Sequence, residues 1–100
     1  HNGSRGLGDV YKRQQLGIAC EVVEKSELEN MTKKIVKELL GVSPLAQRTI
    51  KSVLNATQNA TLHTSIDLEG EAYGRLRSSN DFKEGVKSFS EKRPPSYKGN

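Results

Sequence analysis

Hydrophobic positions recur every three or four residues along most of this chain, and the breaks between them mark four amphipathic segments. Leu28, Met31, Ile35, Val36 and Leu39 define the first, with Ser26 and Glu29 spaced as a capping box and Gly41 as the stop. Ser43 opens the second, with Pro44 in the first turn where its missing N–H costs nothing, and Leu45, Ile50, Val53 and Leu54 form its stripe. The third, about Ala60 to Arg77, carries Leu62, Ile66, Tyr73 and Leu76, and Glu69 interrupts that stripe. It also contains Gly70 and Gly74, each lowering helix stability by about 1 kcal/mol relative to Ala, so a close-packed neighbour is expected. The fourth begins at Asp81, whose carboxylate is placed to cap while Glu84 reaches back, and turns Phe82, Val86 and Phe89 inward together. Arg93-Pro94-Pro95 ends it, because a residue before proline is pushed out of the helical region, and Ser96–Asn100 is a polar tail.

Ahead of these helices, Leu16–Val23 reads as one short strand, since β-branched Ile18, Val22 and Val23 cluster there and Gly17 interrupts a helix. A lone strand leaves its hydrogen-bonding edges unpaired, so its partners are expected upstream. The pattern divides the chain into residues 1–14, a strand region at 15–24 and a helical region at 25–100.

Residues 1–14 follow a different logic. Gly6 and Gly8 have no apolar strand before them and no helical periodicity after them, which excludes a phosphate loop. The chain starts at His1 and spends three glycines in its first eight positions, unlike a basic amphipathic transit peptide. The eleven residues Ser4–Gln14, SRGLGDVYKRQ, are similar to one reading frame of a transposase adapter used in preparing DNA libraries. His1–Gln14 is therefore set apart from the fold and expected to be extended, with few contacts.

Composition changes the picture little. The formal net charge is +4, and setting aside Arg5, Lys12, Arg13 and Asp9 lowers it by two, with the remaining acids and bases interspersed. A nucleic-acid surface needs a basic stripe on one face, so that class is disfavoured. Cys20 is the only cysteine, which excludes an internal disulfide and a cysteine-based zinc cluster; its apolar neighbours point to a buried structural thiol. No apolar run approaches the roughly 20 residues of a membrane span. A cytoplasmic protein is expected, or one of the mitochondrial matrix if the source is eukaryotic. No metal or resident cofactor is expected. Asn30, Asn55 and Asn59 match the glycosylation sequon but lie in or beside helical segments.

Three stretches, LGIACEVVEKSELENM, SPLAQRTIKSVL and SSNDFKEGVKSFSEKRPPSYKG, resemble the carboxy-terminal end of the enoyl-CoA hydratase/isomerase (crotonase) superfamily. The most specific part is the closing block from Asp81 through Glu84, Gly85, Val86, Phe89, Glu91, Lys92 and Arg93 to Pro95. Ala19-Cys20-Glu21 and Ser90 depart from the common pattern and blur the subfamily. The resemblance implies a mainly α region closing a crotonase-like ββα spiral fold, about four helices after one short strand. It implies a parent that binds acyl-CoA thioesters, polarises the thioester carbonyl with two backbone N–H groups and moves protons with two glutamates. That machinery would lie upstream of Leu16, so no catalytic residue is assigned here and the chain alone is expected to be inactive. The implied role of the region is homo-oligomerisation, as a trimer or a dimer of trimers, and completion of the CoA pocket. Water addition to a 2-enoyl-CoA is the leading reading; the alternative is a stand-alone helical protein-interaction module without enzymatic activity. Acyl-chain length and the choice among hydratase, isomerase, dehydratase and thioester hydrolase stay open.

Among candidate side chains, Asp67 and Glu71 sit four apart on a helix face and read as solvated acids, and His63 as an exposed lone histidine. Glu69, inside an apolar stripe, reads as the acid of an ion pair with an arginine across a helix or subunit contact. Phe89 and Lys92, three apart, place an aromatic ring beside an ammonium group. The resemblance implies that this pair contacts CoA, covering the adenine and meeting a phosphate. Without it, Phe89 reads as core and Lys92 as solvated.

Overall fold

The computed structural model describes residues 11–100. The adapter-like residues 1–10, including Leu7 and Val10, lie outside the described residues. Residues 11–15 form a helical turn, which corrects the extended reading for that part, and Tyr11 is exposed. The turn ends in a Schellman motif: Gly17 takes φ +75°, its N–H donates to Gln14 O at 3.1 Å, and Ile18 N donates to Arg13 O at 2.9 Å.

Those bonds occupy the backbone where a strand was expected, and no strand forms among the described residues. A strand needs a partner edge, and none is present among the described residues. Leu16 and Ile18 are exposed, as is Cys20, so the buried-thiol reading does not hold here.

The chain divides into two compact units, one running to Ile35 and one from Val36 to Asn100. In the first, Lys25–Glu27 forms a 3-10 turn, opened by Glu27 N donating to Glu24 O at 2.9 Å. Ser26 lies inside that turn and not at a cap, so the expected Ser26–Glu29 capping box does not form. Helix α1 follows at Leu28–Leu40.

In the second unit, Gln47 closes the end of α1 by donating its amide to Leu39 O and Val42 O at 2.8 and 3.1 Å. Helix α2, Pro44–Thr57, begins as the sequence predicts: Ser43 Oγ accepts Ala46 N–H and Pro44 stands in the first turn. Helix α3, Leu62–Arg77, is capped by Thr61, and α4, Asn80–Ser90, by Ser79. Asp81 is therefore one residue inside α4 and does not cap it. Helix α2 packs on α3, and α3 on α4.

Little of this surface is sealed. Ala72 is the one buried hydrophobic residue among those described, while Ile50, Leu54, Leu62, Ile66 and Val86 are more than half exposed. Phe82, Val86 and Phe89 share a side of α4 but are not turned into a core; Phe89 is 87% exposed. Gly70 and Gly74 meet nothing within 4 Å, so their expected close neighbour is not supplied by the described residues.

Candidate functional site

The first turns of α4 hold two carboxylates that gather the tail. Asp81, 4% exposed, accepts the Ser43 hydroxyl at 2.6 Å and the backbone N–H groups of Lys98 and Gly99 at 3.0 and 3.1 Å. Its own N–H donates to Asn100 O at 2.7 Å. Burial pushes the Asp81 carboxyl up, but the Ser43 hydroxyl and the Lys98, Gly99 and Asn100 amides together outweigh it and leave it below its ordinary value. Arg48 adds a bond from its guanidinium to Gly99 O at 2.8 Å.

One turn on, Glu84 takes Arg93 in a bidentate grip, Oε2 to Nη1 at 2.6 Å and Oε1 to Nη2 at 3.0 Å, and accepts Ser96 N–H at 2.7 Å. The Arg93 hydrogen bonds, helped by Ser96, bring the Glu84 carboxyl down to about 2, against a smaller upward push from desolvation. Arg93 also reaches Glu91 through Nε at 2.6 Å, and the two acids hold its guanidinium more firmly protonated than usual.

Secured in this way, the tail passes beside a groove of about 590 Å³ lined by Tyr73, Leu76, Phe82, Val86, Phe89 and Tyr97, with Ser43, Arg77, Ser79 and Asp81 at its polar positions. The Tyr97 ring lies on Gly85, where an added Cβ would stand 3.2 Å from the phenol oxygen. Phe89 lines this groove and Lys92 does not. Phe89 and Lys92 are joined through the backbone: Lys92 lies beyond the end of α4, its N–H donating to Phe89 O at 3.2 Å. Tyr73 and Tyr97 complete the aromatic wall. The helical stripe already contained Tyr73, but Tyr97 reaches the wall only through the fold of the tail.

Lys92 has φ 55°, the only left-handed non-glycine residue among those described. Arg93 N donates to Ser88 O at 3.0 Å, so α4 ends in the same Schellman motif that Gly17 makes, with a lysine where glycine fits best. That conformation costs a non-glycine residue about 1 to 2 kcal/mol.

The other candidates sit apart. Glu69 is exposed in a second groove of about 440 Å³ between α2 and α3, beside Ile50, Val53, Leu54 and Tyr73, and makes no ion pair among the described residues. His63 is exposed and 3.5 Å from Asp67. No group of three His, Cys, Asp or Glu side chains is placed to hold a metal ion among the described residues, and no described helix is long and apolar enough to cross a membrane.

The family model for enoyl-CoA hydratase/isomerase matches residues 9–100. The chain belongs to that family. A short-chain-enoyl-CoA hydratase of Clostridium acetobutylicum is 33% identical over 79% of this chain and 30% of its own length. A trans-2-decenoyl-[acyl-carrier-protein] isomerase of Streptococcus mutans is 34% identical over 91% of the chain and 35% of its own. The crystal structure of an enoyl-CoA hydratase from Bacillus anthracis superposes with a TM-score of 0.82 at 30% identity, covering 90% of this chain and 35% of that one. The chain thus spans about a third of the length of these relatives, and its mainly helical fold corresponds to that third.

Proposed function

We propose that this family member forms the CoA-recognising, self-associating end of an acyl-CoA enzyme, an enoyl-CoA hydratase of the cytoplasm or mitochondrial matrix. In this reading Phe89 packs beside the nucleotide of a neighbouring subunit's CoA and Lys92 meets a phosphate. The observation carrying it is the left-handed Lys92 at the exit of α4: a lysine stands where glycine would be less strained, next to an 87% exposed phenylalanine on an aromatic groove. Exposed apolar faces on α2 and α3 support burial against a partner surface, which this reading takes to be further copies of the chain, in a trimer or a dimer of trimers. Catalysis is assigned elsewhere in the parent. Asp81 and Glu84 are already saturated by Ser43, Arg93 and tail amides, so neither is free to carry a proton.

The test is to titrate the isotope-labelled chain with coenzyme A and, separately, with pantetheine, following backbone amides by NMR. The reading expects shifts at Phe89–Arg93 with coenzyme A, little response to pantetheine, and a weaker coenzyme A response in Lys92→Ala. Equal responses to the two ligands would remove the nucleotide role. Incubation of the chain with an enoyl-CoA should leave the conjugated thioester absorbance unchanged; its loss above a blank would contradict the assignment of catalysis to other parts of the parent.

A further inference from the structure

The strained Lys92 is held from both sides. Toward α4, its N–H and that of Arg93 close the Schellman bonds to Phe89 O and Ser88 O. On the other side, the Arg93 side chain folds back along α4 to Glu84, nine residues earlier, through two parallel bonds of 2.6 and 3.0 Å, and Nε is taken by Glu91. Pro94 and Pro95 follow directly, with φ fixed by their rings. The backbone at Lys92 is thereby pinned between a helix end and an anchored guanidinium. A left-handed lysine persists only where its surroundings over-determine it.

We infer that Glu84 and Arg93 are positioning residues for Lys92: their bidentate pair holds the left-handed turn that presents the Lys92 ammonium group to the nucleotide phosphate of coenzyme A. The phosphate half of this inference rests on the reading of Lys92 given above; the clamp half does not. The pair acts through Lys92 and touches no ligand itself.

Arg93→Lys is the informative variant, because it keeps the charge attractive to a polyanion and removes only the planar fork. It should weaken coenzyme A binding by about threefold to tenfold, leave pantetheine unaffected, and change coenzyme A affinity by less than about twofold when Lys92 is already Ala. Glu84→Gln gives an opposed control. Removing a negative charge should by itself favour an anion, yet the clamp requires weaker coenzyme A binding. Tighter binding in Glu84→Gln, or an Arg93→Lys effect undiminished in the Lys92→Ala background, would overturn the positioning role. The amide-to-Hα coupling and backbone shifts of Lys92 report the clamp without ligand: they should leave left-handed values in Arg93→Lys, and unchanged values sink it. If Lys92→Ala binds coenzyme A normally, the phosphate reading fails, and the coupling measurement still decides the clamp.

Discussion

Ser43 donates its hydroxyl to Asp81 across 2.6 Å while accepting the N–H of Ala46 at 3.2 Å, so one oxygen starts α2 and ties it to the first turn of α4, 38 residues away. Replacing Ser43 with Ala removes a helix cap and one of the bonds satisfying a buried carboxylate. A loss of about 1 to 2 kcal/mol is expected from urea unfolding. The tail amides of Lys98 and Gly99 should exchange faster in the same variant, since their acceptor loses a partner.

The glycines of the helices separate by surroundings. Gly74→Ala meets open space and should stabilise the isolated chain by about 0.5 to 1 kcal/mol through helix propensity. Gly85→Ala places a Cβ 3.2 Å from the Tyr97 phenol oxygen, so it should gain clearly less or lose stability as the tail shifts. Equal stabilisation by both, measured by urea titration, would show that Tyr97 does not constrain Gly85. A stability loss for Gly74→Ala that grows with protein concentration would reveal a second copy packed on that face.

Acid should undo the tail before the helices. Glu84 titrates at about 2 in the fold against an ordinary 4.5, so its contribution is complete above about pH 4.5 and is lost as pH falls toward 2. Asp81, also lowered from its ordinary 3.8, acts in the same direction over the region below that value. The amide proton of Ser96 should move with an apparent midpoint near 2, reporting Glu84, and those of Lys98 and Gly99 should follow Asp81. A Ser96 midpoint near 4.5 would mean that the Arg93 grip is absent in solution.

Lys92→Gly should divide stability from binding. Removing the Cβ relieves about 1 kcal/mol of left-handed strain and should raise the urea midpoint, while the response to coenzyme A falls. A variant no more stable than the parent would show that Lys92 bears no such strain.

Helix content was readable from the residues because helices are closed by bonds four residues long and their apolar period is local. Ser43-Pro44 marked the start of α2 for the same reason. Asp81 and Glu84 carried equally good local capping signals, and the folded chain uses them otherwise. The tail brings the N–H groups of Lys98, Gly99 and Ser96 and the Arg93 guanidinium to those carboxylates, while Ser79 takes the cap. Exposure was equally out of reach: Phe89 has the spacing of a core residue, but whether a ring is covered depends on which elements lie across from it. The strand expected at Leu16–Val23 fails on the same ground, since strand pairing needs a second segment and periodicity within one segment cannot provide it. Local order follows from spacing along the chain; caps, burial and the Glu84–Arg93 clamp follow from contacts between residues that only folding brings together.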